Sequence, residues 1–78
     1  MSITVLYFAS LRDAAGRDSE QLPLPASLRG LYDELRARHG FSLPAERLRV
    51  AVDGSFAAWD SPVHEGSEVA FIPPVSGG

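Results

Sequence analysis

Apolar residues recur along this chain in two rhythms, one of two residues and one of three to four. Ile3 to Phe8 is β-branched, aliphatic or aromatic at most positions, so a strand is expected there. Both of its side-chain rows become apolar toward the end, as in a central strand covered on two sides. Ala9 to Ala15 fits a short helical turn closed by Gly16. Arg17 to Leu24 alternates weakly, at Leu22 and Leu24, and carries Pro23. Proline cannot donate to a sheet ladder, so an edge strand is predicted.

The longer rhythm follows Ser27, a good N-cap. Leu28, Leu31, Tyr32 and Leu35 form one apolar stripe at i, i+3, i+4 and i+7. Arg36, Arg38 and His39 suit the negative end of the helix dipole, and Gly40 supplies the stop. Gly30 inside the helix costs about 1 kcal/mol relative to Ala, and its missing Cβ suits close packing on a sheet. Pro44 to Arg47 predicts a short helical turn.

Leu48 to Val52 returns to alternation, with Leu48, Val50 and Val52 inward and Arg49 and Ala51 outward. Asp53-Gly54 is a two-residue hairpin signal, and Ser55 to Ala58 is the short return strand. Turn residues at Ser61-Pro62 and Glu65-Gly66 lead into a last strand over Ser67–Ile72. Trp59, Tyr7 and Tyr32 are packing residues. One striped helix must cover one face of a mixed sheet of four or five strands, an α+β arrangement. Two hairpin-like pairs flanking one helix match the β-grasp order of ubiquitin. That order sets the first and last strands side by side at the centre.

Composition narrows the chemistry. Seventy-eight residues make one small domain, with a core near the lower limit of independent stability. Cys is absent, which excludes disulfides, thiolate metal sites and sulfur chemistry on a cysteine of this chain. His39 and His64 lack metal-ligand spacing, and no metal site is expected. The net charge of −3 gives no basic face for nucleic acid. No apolar run approaches the ~20 residues of a membrane span, and no signal peptide is recognised at the start. A cytoplasmic protein is expected. All seven basic residues are arginine, which fits a GC-rich coding bias. It also leaves no ε-amine to attack an activated terminus on a sister molecule.

The chemistry concentrates in Pro73-Pro74-Val75-Ser76-Gly77-Gly78. Two prolines fix φ where the chain leaves the last strand, and two glycines thin the tip to bare backbone. At full extension six residues reach roughly 20 Å, enough to enter a buried site on another protein. The division expected is a β-grasp domain over 1–72 and an extended tail over 73–78. The group offered at the tip is the Gly78 carboxylate, with Gly77 giving it passage.

On these residues the chain resembles the molybdopterin synthase small subunits (MoaD), a family of ubiquitin-like sulfur carriers. The matching stretches are Val5 to Asp13, Val50 to Gly54 and Gly66 to Gly78. Gly-Gly alone also fits the thiamine-pathway sulfur carriers and ubiquitin-like modifiers. The Phe71-Ile72-Pro73-Pro74-Val75-Ser76 approach favours the molybdopterin branch. The resemblance implies a carrier with no bound cofactor. A MoeB-like adenylating enzyme uses ATP to make a glycyl adenylate at Gly78, and sulfur then converts it to 1-thioglycine, a thiocarboxylate. A MoaE-like large subunit, assembled with the carrier as a heterotetramer, takes the tail and passes sulfur to cyclic pyranopterin monophosphate. Catalytic groups are then expected on the partners. The positions that match partner contacts are Phe8, Arg12, Phe56, Ile72, Pro73, Pro74, Val75 and Ser76.

Overall fold

Among the described residues, five short strands, two helices and one 3-10 turn form in the order that the patterning predicts. The computed structural model describes residues Met1–Pro74. Strand β1 (Ser2–Tyr7) is followed by helix α1 (Ala9–Ala15), whose end is set by Gly16 in the left-handed region at φ 74°. Strand β2 (Ser19–Pro23) runs antiparallel to β1 and closes one edge of the sheet. Helix α2 (Leu28–His39) is capped by the Ser27 hydroxyl, which accepts from the Gly30 N–H at 2.9 Å. A 3-10 turn (Ala45–Arg47) leads into β3 (Arg49–Val52), β4 (Ser55–Ala57) and β5 (Glu68–Ile72).

The sheet order is β2-β1-β5-β3-β4. β5 lies at the centre, parallel to β1 and antiparallel to β3. This is the mixed five-stranded α+β sheet of the β-grasp. Asp53 and Gly54, both at positive φ, make the tight turn between β3 and β4. Asp53 also ties that hairpin to β5. Its N–H donates to the Glu68 carbonyl at 2.8 Å, and its Oδ1 accepts from the Glu68 N–H at 2.9 Å.

One face of the sheet is covered. Ile3, Val5 and Tyr7 of β1, Val50 of β3 and Val69 and Phe71 of β5 pack with Leu28, Leu31, Tyr32 and Leu35 of α2. The Tyr32 ring lies 5.2 Å from Phe71, and Trp59 stacks on Phe71 at 5.9 Å. The Tyr32 hydroxyl, which the core would otherwise strand, donates to the Leu43 carbonyl at 2.6 Å.

Three expectations need correction. β1 is not covered on both sides, because Leu6 stays half-buried on the face away from α2. Its second apolar row belongs to an open surface. Gly30 does not pack on the sheet; it is exposed, and a Cβ there would lie 3.0 Å from the capping Oγ of Ser27. The glycine keeps room for the cap. His39 is more than a charge at a helix end. It sits with its ring against Tyr7 and Phe41 and its Nε2 3.2 Å from Glu20. No described helix is long and apolar enough to cross a membrane.

Candidate functional site

The uncovered face is built by strand parity. Leu6 pairs with Ala70, Ala70 with Ala51, and Ala51 with Phe56, so these four point the same way. Arg49 and Ile72 form the next such pair along the ladder. Phe8, two residues beyond Leu6, stays extended at φ −127°, ψ 149° and continues that row. Ala9 then turns through φ 50° into α1.

Residue size shapes this face. Ala51 and Ala70 are the floor, because a methyl group stands where a larger side chain would fill the surface. Leu6, Phe8, Phe56 and Ile72 rise around them. The result is a shallow apolar hollow of about 290 Å³. Phe8 and Phe56 are 44% and 67% exposed, a large apolar area to leave in water on a chain of this size. Contiguous exposed apolar surface of this kind marks an interface.

The expected contact residues fall on two sides of the hollow. Phe8, Phe56 and Ile72 line it. Arg12 projects from α1 just beyond Phe8, with its side chain 55% exposed and its Nε 3.9 Å from Asp18. An exposed pair that long is worth little, so the guanidinium remains available to a partner. Pro73 is buried and Pro74 is exposed, so the surface at the root of the tail begins at Pro74. Val75, Ser76, Gly77 and Gly78 lie outside the described residues.

A second cluster lies on the covered face. Glu20 of β2 stands opposite Val5 and therefore points toward α2. Its Oε1 accepts from the Tyr7 hydroxyl at 2.7 Å and lies 3.2 Å from His39 Nε2. Its Oε2 is 3.5 Å from both Arg17 Nη1 and Arg38 Nη1. Burial alone would raise this carboxyl. The Tyr7 and His39 hydrogen bonds and the His39 and Arg17 charges outweigh it and hold the group below the ordinary carboxylate range. The Tyr7 hydroxyl is pushed up, first by burial and then by its bond to Glu20. Every group has a partner, so the cluster is a strut between β2 and α2. Among the described residues no group of three His, Asp or Glu side chains could hold a metal ion.

Residues 5–78 match the ThiS family. The chain belongs to the ThiS family. It is 35% identical over 80 residues to the molybdopterin synthase sulfur carrier subunit of Escherichia coli K12, across 97% of this chain and 99% of that one. Among solved structures, SAMP1 of Haloferax volcanii, the small archaeal modifier protein 1, is 27% identical. It superposes with a TM-score of 0.81 over the whole of both chains. The complex of subunits 1 and 2 of molybdopterin-converting factor from Helicobacter pylori contains a chain of the same fold. That chain aligns with a TM-score of 0.72 and 19% identity, over all of both chains. These solved structures share the fold of this chain.

Proposed function

We propose that this chain carries sulfur for molybdopterin formation, with the Gly78 carboxylate as the carrying group. The observation that supports this most is the apolar hollow of Phe8, Phe56 and Ile72, which adjoins through Phe56 and Ile72 the groove that holds Pro73 and Pro74. A protein docked there covers the point at which the chain leaves the sheet. The name of the Escherichia coli relative, a sulfur carrier subunit of molybdopterin synthase, supports the cargo and the pathway. The Helicobacter pylori complex, a protein of the same fold assembled with a second subunit, supports a larger partner.

The chemistry follows from the carboxylate. At neutral pH it is ionised, with a pKa near 3.3–3.7, and a poor electrophile. In the activating enzyme one of its oxygens attacks the α-phosphorus of ATP. Pyrophosphate leaves and an acyl adenylate forms. A hydrosulfide-level sulfur donor then displaces AMP at the carbonyl carbon, loses its proton to solvent and leaves a thiocarboxylate. The sulfur of that softer, stronger nucleophile bonds to a carbon of the pterin precursor in the large synthase subunit as a C–O bond there breaks. Water cleaves the resulting thioester, leaving sulfur on the pterin and regenerating the carboxylate. The carrier supplies the handle and the docking surface. ATP stays with the activating enzyme, and the pterin with the large subunit.

Intact mass after incubation with an adenylating enzyme, ATP and a sulfur source tests this reading. The expected product has one oxygen replaced by sulfur at the C-terminus. The SAMP1 likeness favours one other reading, a protein modifier. A ladder of heavier conjugates and no exchanged oxygen would establish that reading and end the carrier proposal.

The docking face makes its own prediction. Phe56 is exposed, so Phe56→Asp is expected to keep the wild-type melting temperature. Affinity for the large synthase subunit should fall by at least about 2 kcal/mol, the loss typical of an aromatic anchor. Calorimetric titration of both chains checks this, and equal affinities would remove Phe56 from the interface.

A further inference from the structure

Four of the seven arginines are engaged within the fold, and Arg12 is only loosely paired at 3.9 Å. Arg17, Arg29 and Arg38 face carboxylates. Arg36 donates to the carbonyls of Phe41 and Ser42. Arg47 and Arg49 are different, because among the described residues neither lies beside a carboxylate. Both are exposed, and both line a groove of about 510 Å³ with Phe56, Ile72, Pro73 and Pro74. Glu46 also borders the groove, but its Oε2 sits 3.6 Å from Arg29 Nη2.

Arg49 is held in place. It stands opposite Ile72 in the ladder, and its guanidinium carbon lies 5.6 Å from the centre of the Phe56 ring. Stacking on an aromatic face orients the fork without using its N–H donors. Those donors stay available beside the root of the tail, on a chain whose net charge is −3. A local cationic spot on an acidic protein selects for an anion.

We infer that Arg47 and Arg49 form an electrostatic clamp that receives an acidic side chain, Asp or Glu, of the protein that takes the tail. The groove is continuous with the apolar hollow, since Phe56 and Ile72 border both. A partner surface that fills the hollow therefore passes over the two arginines, and a carboxylate there matches the guanidinium fork in two-point geometry. The exposed Glu68 lines the hollow at the other end of the Ala70-Ile72 row, so positive charge lies at the Arg49 end of the patch and negative charge at the Glu68 end. The complementary surface is an apolar knob with its acidic group on the flank nearest the root of the tail, which fixes the orientation of the partner. This inference rests on the carrier reading above and adds the chemistry of the partner.

The test compares binding of the large synthase subunit by wild type, by Arg47→Gln with Arg49→Gln, and by Arg47→Glu with Arg49→Glu. The reversed pair is expected to lose roughly 10- to 100-fold in affinity, much of it in the association rate, with a flatter dependence on salt. The neutral pair should fall between. Ala37→Glu with Ser42→Glu adds the same net charge as the neutral pair at exposed positions on α2 and just beyond it. That control should stay within roughly threefold of wild type at physiological salt. All four sites are exposed, and melting temperatures confirm that each variant is folded. Wild-type binding that the reversed pair retains within twofold, or a control that loses as much as the neutral pair, overturns the clamp and leaves the carrier reading intact. No binding by wild type overturns both.

Discussion

Removal of Gly78 is expected to leave a folded chain that no longer accepts sulfur. The core closes before the tail begins, with Val69 and Phe71 fully buried in β5 and Pro73 the last buried residue described. The melting temperature should therefore not change. Activity should, because the shortened chain ends one residue, about 3.3–3.6 Å, nearer the body. Reacting groups need placement to a fraction of that distance, and a 1 Å error already costs on the order of 10²-fold. Thiocarboxylate formation, followed by intact mass, should fall by more than that factor. Adding one bulky residue after Gly78 should be as damaging, since a side chain then stands where the two glycines leave none. Normal charging of either variant would show that the carboxylate of Gly78 is not the group the activating enzyme uses.

The parts of the fold that were legible share a property: each is decided by residues close in sequence. Asp53-Gly54 makes its turn because both residues accept positive φ. Ser27 and Gly40 bound α2 because a hydroxyl and a left-handed glycine satisfy the helix ends locally. Alternation along β5 sets Ile72 on the face opposite Val69 and Phe71, whereas Phe56, on β4, is named by the family resemblance and meets that face through its pairing with Ala51. The shape of that face was not legible in the same way. Ala51 and Ala70 read only as small outward residues, and the hollow exists because the register sets them side by side. Likewise, Arg49 became part of the site only when the hairpin brought Phe56 under it.

The Glu20 strut was missed for a different reason. Its members lie on three elements, and the residues between them give no spacing to recognise. Two signals were nonetheless present. Glu20 continues the inward row of Leu22 and Leu24, and His39 continues the stripe of Leu28, Leu31, Tyr32 and Leu35 four residues on. A charged residue on an inward strand row and a histidine on a core stripe are unusual enough to predict one another. The position of His39 at the helix end masks its place on the stripe, and the weak alternation of β2 hides the inward placement of Glu20.

Replacing Glu20 with leucine therefore carries the second large effect, this time on stability. The arginine pairs at 3.5 Å contribute little, since both side chains are about half exposed. The loss falls on Tyr7 and His39, whose polar atoms are left facing an apolar side chain. A buried donor without a partner costs about 1–3 kcal/mol, so Glu20→Leu should destabilise the chain by about 2–3 kcal/mol. For a domain of this size that lowers the melting temperature by roughly 10–20 °C. Tyr7→Phe with Glu20→Leu removes donor and acceptor together and should recover about 1–2 kcal/mol of the sum of the single losses. The pH dependence separates this account from simple mispacking. The folded-state pKa of Glu20 is depressed, so its stabilisation is present above the unfolded carboxylate range near 4.3 and is lost as pH falls through the folded value. The gap between wild type and Glu20→Leu should therefore narrow on acidification. On the alkaline side Tyr7 and Tyr32 have raised values, so wild-type stability should fall as pH rises above about 10. Thermal melts across pH measure all of this. A Glu20→Leu chain as stable as wild type at neutral pH, or a gap that does not close in acid, would mean that the carboxylate does not hold β2 to α2.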